Sequence, residues 1–105
     1  EIKSWVKSLG RSGKDFPLIN ATKSMIGHCL SAAGAVETVG TLLQMQEGFF
    51  HGNLNSEDLH PEIAELVDRS RIPLETIENQ ELNTVIKASF GFGDVNSCVV
   101  LKKWE

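Results

Sequence analysis

From Cys29 to Glu47 the chain reads Cys-Leu-Ser-Ala-Ala-Gly-Ala-Val-Glu-Thr-Val-Gly-Thr-Leu-Leu-Gln-Met-Gln-Glu, and Gly48 follows. The stretch predicts one helix, stopped by Gly48. Ser31, Ala32, Ala33, Gly34, Ala35 and Gly40 bury little apolar area, and each Gly costs up to about 1 kcal/mol of helix stability relative to Ala. A helix that carries this cost is shaped for close approach of other backbones. It is therefore expected to lie deep within a larger body, with Gly34 accepting nothing larger than Ala.

Upstream, Ile2, Trp5, Val6 and Leu9 share one face of an opening helix that Gly10 and Gly13 end. Phe16-Pro17-Leu18-Ile19 is a short apolar run between turn residues and predicts a buried strand. Downstream, Phe49 to Leu54 predicts a second strand. Residues 56–69 predict a surface loop with some helix, broken by Pro61, with Pro73 as a further break. Leu82 to Phe90 and Ser97 to Trp104 are β-rich runs around the connection Gly91-Phe92-Gly93-Asp94-Val95-Asn96. The order β, α, β, irregular, β, β predicts an α/β fold.

The chain has 105 residues, 41% hydrophobic and 23% charged. That is one domain's worth, spanning 1–105, able to bury roughly 65% of its unfolded surface. No run of 18 apolar residues exists, so no membrane-spanning segment is expected. The net charge of −4 is uneven: residues 24–86 hold ten Asp and Glu against two Arg. So acidic a middle argues against a nucleic-acid groove, which needs a basic face. Cys29 and Cys98 show neither metal-ligand spacing nor a disulfide framework and read as reduced thiols of a cytoplasmic protein. No cofactor or metal is called for. An opening without an initiator Met, already helical in character, leads us to expect a segment of a longer chain.

Two segments stand apart in composition. One is Asn20-Ala21-Thr22-Lys23-Ser24-Met25-Ile26-Gly27-His28 and the other is Ser89-Phe90-Gly91-Phe92-Gly93. A lone His such as His28 has a plain reading as a core histidine satisfied by backbone, and a lone Lys such as Lys23 as a snorkelling surface residue. Glu37 is the only charge between Lys23 and Glu47. A buried carboxylate is costly unless paired, and Lys23 is the obvious partner, unless Glu37 reaches solvent at the helix edge. Gly91 and Gly93 permit a tight turn, in which Phe92 alone would be an aromatic plug. Cys98, beside Val99 and Val100, reads as a small core residue. His51, His60 and the acidic run Glu57 to Asp68 read as solvated surface.

Taken together, Thr22-Lys23-Ser24-Met25, Gly27-His28 and Ala32-Ala33-Gly34-Ala35-Val36-Glu37 resemble the C-terminal signature of the β-ketoacyl synthases, the thiolase-fold condensing enzymes of fatty-acid and polyketide synthesis. Ser89-Phe90-Gly91-Phe92-Gly93, with Asn96 three residues on, resembles the last active-site loop of the same family. The resemblance covers nearly the whole chain and roughly the last quarter of a full synthase. It implies the C-terminal part of a thiolase-like fold, a mixed sheet packed on the buried small-residue helix.

The resemblance also implies a chemistry, decarboxylative Claisen condensation of an acyl thioester with malonyl-acyl-carrier-protein. Such a reaction needs hydrogen-bond donors where enolate charge develops. His28 would supply an Nε2–H, Lys23 and Glu37 would belong to the network that orients the histidines, and Phe92 would give an oxyanion-hole N–H and gate the acyl pocket. Thr22, Gly27, Phe90, Gly91, Gly93 and Asn96 would support them. The implied partners are an acyl carrier protein bearing acyl or malonyl thioesters, the N-terminal half of the same enzyme and, when complete, a second copy. The family nucleophile is a Cys in that other half, so this segment alone is expected to be inactive. Gly93-Asp94-Val95-Asn96 departs from the family's usual Gly-Gly-Thr-Asn at Asp94 and Val95. Thiolases place a Cys in the corresponding loop, and polyketide ketosynthases follow the loop Asn with Ala-His, whereas Ser97-Cys98 follows Asn96 here. A chain-length-factor-like subunit, with the fold and no nucleophile, is the non-enzymatic alternative.

Overall fold

The computed structural model describes residues 1–104. Helix α1 (Ile2–Leu9) ends at Gly10, whose φ of 65° turns the chain back and whose N–H caps the Val6 carbonyl. Its apolar face, Ile2, Trp5, Val6 and Leu9, packs on a core of Phe16, Val67 and Ile72. Helix α4 (Pro61–Leu66) covers the same core with Ile63 and Leu66. Pro61 starts this helix, because a residue without an N–H costs nothing at a first-turn position. His60 caps it, its Nδ1 accepting the Glu62 N–H at 3.2 Å.

The Phe16–Ile19 run is not a strand. Phe16 is buried, but the run's backbone bonds go to the turn at residues 69–71, to Gly13 and to the Asn53 side chain rather than to a strand. Arg71 Nε donates to the Phe16 carbonyl at 2.6 Å and Ile19 N–H to the Arg71 carbonyl at 2.7 Å. The Phe49–Leu54 run likewise forms one isolated bridge, Phe50 with Ile77, through bonds of 3.0 and 2.9 Å. In both runs a burial pattern that looks like a strand is satisfied by loop partners.

Helix α2 (Lys23–Ile26) is a single turn, and a 3₁₀ turn at Leu30–Ala32 leads into α3 (Ala33–Glu47). The predicted helix thus begins four residues later than expected and stops at Gly48, at φ 72°. Strands β1 (Thr84–Gly91) and β2 (Val95–Lys102) pair antiparallel, with Gly91 opposite Val95. The composition is α/β, but the sheet is two-stranded and antiparallel rather than mixed.

Within this segment α3 is covered only in part. Among its residues only Ala33, Gln44 and Met45 are buried, while Val36, Val39, Leu42 and Leu43 are exposed. A Cβ added at Gly34 meets nothing within 4 Å. The small residues do allow one close approach, because a Cβ at Gly40 would lie 3.7 Å from the Thr22 methyl. The true steric glycine is Gly52, whose added Cβ would lie 2.7 Å from the Leu74 carbonyl carbon. Gly52→Ala is therefore expected to lower the denaturation midpoint by the equivalent of about 1–3 kcal/mol. Gly34→Ala should instead stabilise by up to about 1 kcal/mol, from helix propensity alone. Urea unfolding of both variants checks this pair, and equal shifts of the same sign would contradict it.

Candidate active site

The segment that carries Lys23 and His28 is held by a buried polar clamp. Asn53 accepts the Ala21 N–H at 3.1 Å on Oδ1, and its Nδ2 donates to the carbonyls of Ile19 and Pro73 at 2.9 and 3.1 Å. Gln44 Oε1 accepts from Asn20 Nδ2 at 3.0 Å and from the His51 N–H at 2.9 Å. Both Gln44 and Asn53 are buried, so each unmade bond would leave a costly unsatisfied group. The chain before Thr22 thus has little freedom. Sequence reading missed this clamp; its signal was amides standing inside or beside apolar runs.

His51 belongs to the clamp and not to the solvated surface expected of it. It is buried, stacks on Phe50 at an interplanar angle of 18°, and directs Nδ1 to the Gly52 carbonyl at 2.9 Å. Because a carbonyl only accepts, Nδ1 carries the proton. His60 is exposed, as expected. Cys98 is also exposed, on an open strand face rather than in a core, and Cys29 is half-buried.

Downstream of the clamp, Thr22 precedes α2 and its side chain faces Gly40. Lys23 Nζ donates to Glu37 Oε2 on α3. Gly27 ends α2 at φ 78° and ψ −173°, a conformation essentially confined to glycine. His28 follows, exposed, with Nδ1 accepting the Leu30 N–H at 2.8 Å. An N–H donor on Nδ1 requires a lone pair there, so in the neutral ring the proton sits on Nε2 and points away from the turn. Leu30 holds φ 51°, an uncommon value for a side chain of its size.

Glu37 has a second partner that the sequence did not announce. Lys87 on β1 places Nζ 3.2 Å from Glu37 Oε1, and its side chain is 12% exposed. The Glu37 side chain is 13% exposed, so it does not reach solvent at a helix edge. Burial pushes its carboxyl pKa up, but hydrogen bonds and charge from Lys23 and Lys87 outweigh this and hold it below the ordinary 4.5.

At the far end of β1, Phe90 pairs with Asn96 and Gly91 with Val95, closing a loop of Phe92, Gly93 and Asp94. Gly93 and Asp94 both have positive φ, 75° and 60°. Asp tolerates that region better than most residues, which explains how Asp94 stands where the family pattern has Gly. Phe92 projects fully exposed at the tip. Among the described residues no hydrogen bond joins His28 to Phe92; the link between their segments runs through Lys23, Glu37 and Lys87.

Residues 1–57 match the family described as Beta-ketoacyl synthase, C-terminal domain. The chain belongs to this family. It is 41% identical over 104 residues to 3-oxoacyl-[acyl-carrier-protein] synthase 1 of Haemophilus influenzae, covering 95% of this chain and 25% of that protein. The Escherichia coli K12 protein of the same name is 42% identical over 91 residues, covering 87% of this chain and 21% of its own. The chloroplastic 3-oxoacyl-[acyl-carrier-protein] synthase I of Arabidopsis thaliana is 42% identical over 87 residues, covering 83% and 17%. The chain thus spans about a quarter or less of the length of these relatives. Among the described residues no helix is long and apolar enough to cross a membrane.

Because the pKa of Glu37 is depressed in the fold, its ion pairs stabilise above the unfolded value and fade as pH falls through the folded one. Glu37→Gln is accordingly expected to lower the melting temperature at pH 7, with the gap to wild type closing as pH falls below the ordinary 4.5 and through the lowered folded value. Thermal melts across pH 3–7 measure this. A gap that widened on acidification would contradict the ion-pair account.

Proposed function

We propose that the chain is the C-terminal part of a 3-oxoacyl-acyl-carrier-protein synthase with a thiolase-like fold. Residues 1–105 form one unit of it, and the remaining share of the relatives' length would supply the nucleophilic Cys and a second histidine. The reaction is condensation in fatty-acid elongation. The malonyl thioester loses carbon dioxide, the resulting enolate attacks the acyl thioester carbon, and the nucleophile's sulfur leaves as the new carbon–carbon bond forms. The partner is an acyl carrier protein, as the relatives' names carry it. The complete enzyme would be a homodimer, and the cytoplasm is the proposed compartment, with one relative named chloroplastic.

The observation that carries this reading is the Leu30 N–H donated to His28 Nδ1 at 2.8 Å. With Nδ1 occupied by the Leu30 N–H, the ring offers Nε2–H as a fixed donor. Decarboxylation develops negative charge on the thioester oxygen, and a preorganised donor stabilises that charge without reorganising. A neutral ring suits the task better than a general base, since its Nδ1 lone pair is already engaged. In this reading the backbone N–H of Phe92 serves the acyl carbonyl, Lys23 and Glu37 position, and Thr22, Gly27, Phe90, Gly91, Gly93 and Asn96 shape the two turns. The same family resemblance leaves a chain-length-factor-like role for a protein lacking the Cys; the retained Lys23 and His28 speak for an enzyme.

In the complete enzyme His28→Ala is expected to leave acylation of the Cys largely intact while decarboxylation falls on the order of 100- to 1000-fold. Single-turnover labelling of the Cys alongside carbon dioxide release separates the two half-reactions. Loss of labelling with carbon dioxide release spared would overturn the role given to His28.

A further inference from the structure

Lys87 lies on the face of β1 that turns toward α3, in line with Ser89 and Gly91. Its neighbours on that register are Val85 and, across the hairpin, Val99. An apolar residue would be the expected occupant. Glu37 does not need a second cation for neutrality, because Lys23 already supplies one. A second buried ammonium is costly unless its hydrogen bonds are well made. Here they are directed: Lys87 Nζ meets Glu37 Oε1 at 3.2 Å and donates to Ser89 Oγ at 2.7 Å. Two residues beyond Ser89 the strand becomes the Gly91–Phe92–Gly93 loop.

We infer that Lys87 is a positioning residue that ties this loop to α3, and through Glu37 to Lys23 and the His28 turn. Its inward ammonium fixes the height of β1 against α3, and with it the place of the Phe92 N–H relative to His28 Nε2. Each group would otherwise be set by its own turn. The inference rests on the proposed condensation, in which both donors serve one reaction. Among the described residues the charges acting on Glu37 are Lys23 from α2 and Lys87 from β1. Since Lys23 is 44% exposed and Lys87 is 12% exposed, Lys87 is the less screened of the two.

The test uses the complete enzyme with Lys87→Met, Lys87→Arg and Ser89→Ala. Lys87→Met keeps the side chain's length and leaves the Lys23–Glu37 pair intact. It should lower kcat on the order of 10- to 100-fold, the scale of a small misplacement, with KM moving far less. The acid limb of its pH–kcat profile should move to higher pH, because Glu37 then protonates more readily. Lys87→Arg should restore both. A folded Lys87→Met enzyme with wild-type kcat and an unmoved acid limb overturns the inference. If Lys87→Met does not fold, Ser89→Ala decides: it removes the hydroxyl that directs the ammonium onto Glu37 and so loosens the tie, and an unchanged kcat overturns the inference equally. An inactive wild-type enzyme would sink the condensation reading instead. The Lys87–Glu37 coupling is then read without any reaction, from the Glu37 carboxyl titration by NMR in wild type and Lys87→Met, and identical curves would remove the tie itself.

Discussion

The Glu37 carboxylate joins three segments that are far apart in sequence: the single turn of α2, the long helix α3 and the hairpin strand β1. A carboxylate so little exposed would be a liability alone, since desolvation disfavours its charge. Two ammonium groups, one from α2 and one from β1, reverse that. Paired charges also demand direction, because each oxygen serves its own lysine, Oε2 for Lys23 and Oε1 for Lys87. Apolar packing is tolerant of small slides; this contact is not. It sets the spacing among the elements that carry the candidate reacting groups.

The amide clamp performs the same task by other means. Gln44 and Asn53 each hold several backbone groups of the chain that approaches Thr22, and both are buried. Neutral amides carry donors and acceptors together, so one side chain can satisfy groups of both kinds. A strand would have satisfied the same backbone by a ladder. The loop solution leaves Ile19 to Ala21 free of sheet geometry and lets α2 start at the angle that brings Lys23 to Glu37.

Much of this was readable from residues. The helix over Ala33–Glu47, the opening helix, the hairpin and the Lys23–Glu37 pair all follow from spacing and from the cost of an unpaired charge. What escaped did so for identifiable reasons. Phe16–Ile19 and Phe49–Leu54 bury one or a few residues as a strand would, but hydrophobicity does not say where the backbone bonds go. The small residues of α3 were read as a surface for close approach within a larger body; this segment fills one such place, at Gly40 against Thr22, and leaves Gly34 open. His51 was hidden because burial of a histidine depends on partners distant in sequence. Lys87 could have been found. A lone charge in an otherwise apolar strand, on the face opposite Ile86 and Phe90, must face a partner or water.

The backbone and the side chains divide the work differently at the two turns. His28 sits between a glycine in a conformation reserved for glycine and a leucine in the left-handed region, and its ring is pinned by one of those N–H groups. Phe92 sits before two residues of positive φ at the end of a regular ladder, with no side-chain bond of its own. One turn therefore fixes a side-chain donor, and the other offers a backbone donor whose position is only as good as the strand beneath it. That strand belongs to a two-stranded sheet, open on its Ile86–Phe90 face and tethered inward through Lys87. Isolated two-stranded sheets are weak. Among the described residues the ion pair halfway along the hairpin is thus the charged contact that ties α3 to the strand beneath the loop. For that reason the weaker of the two turns depends on the charge cluster more than the one carrying the histidine does.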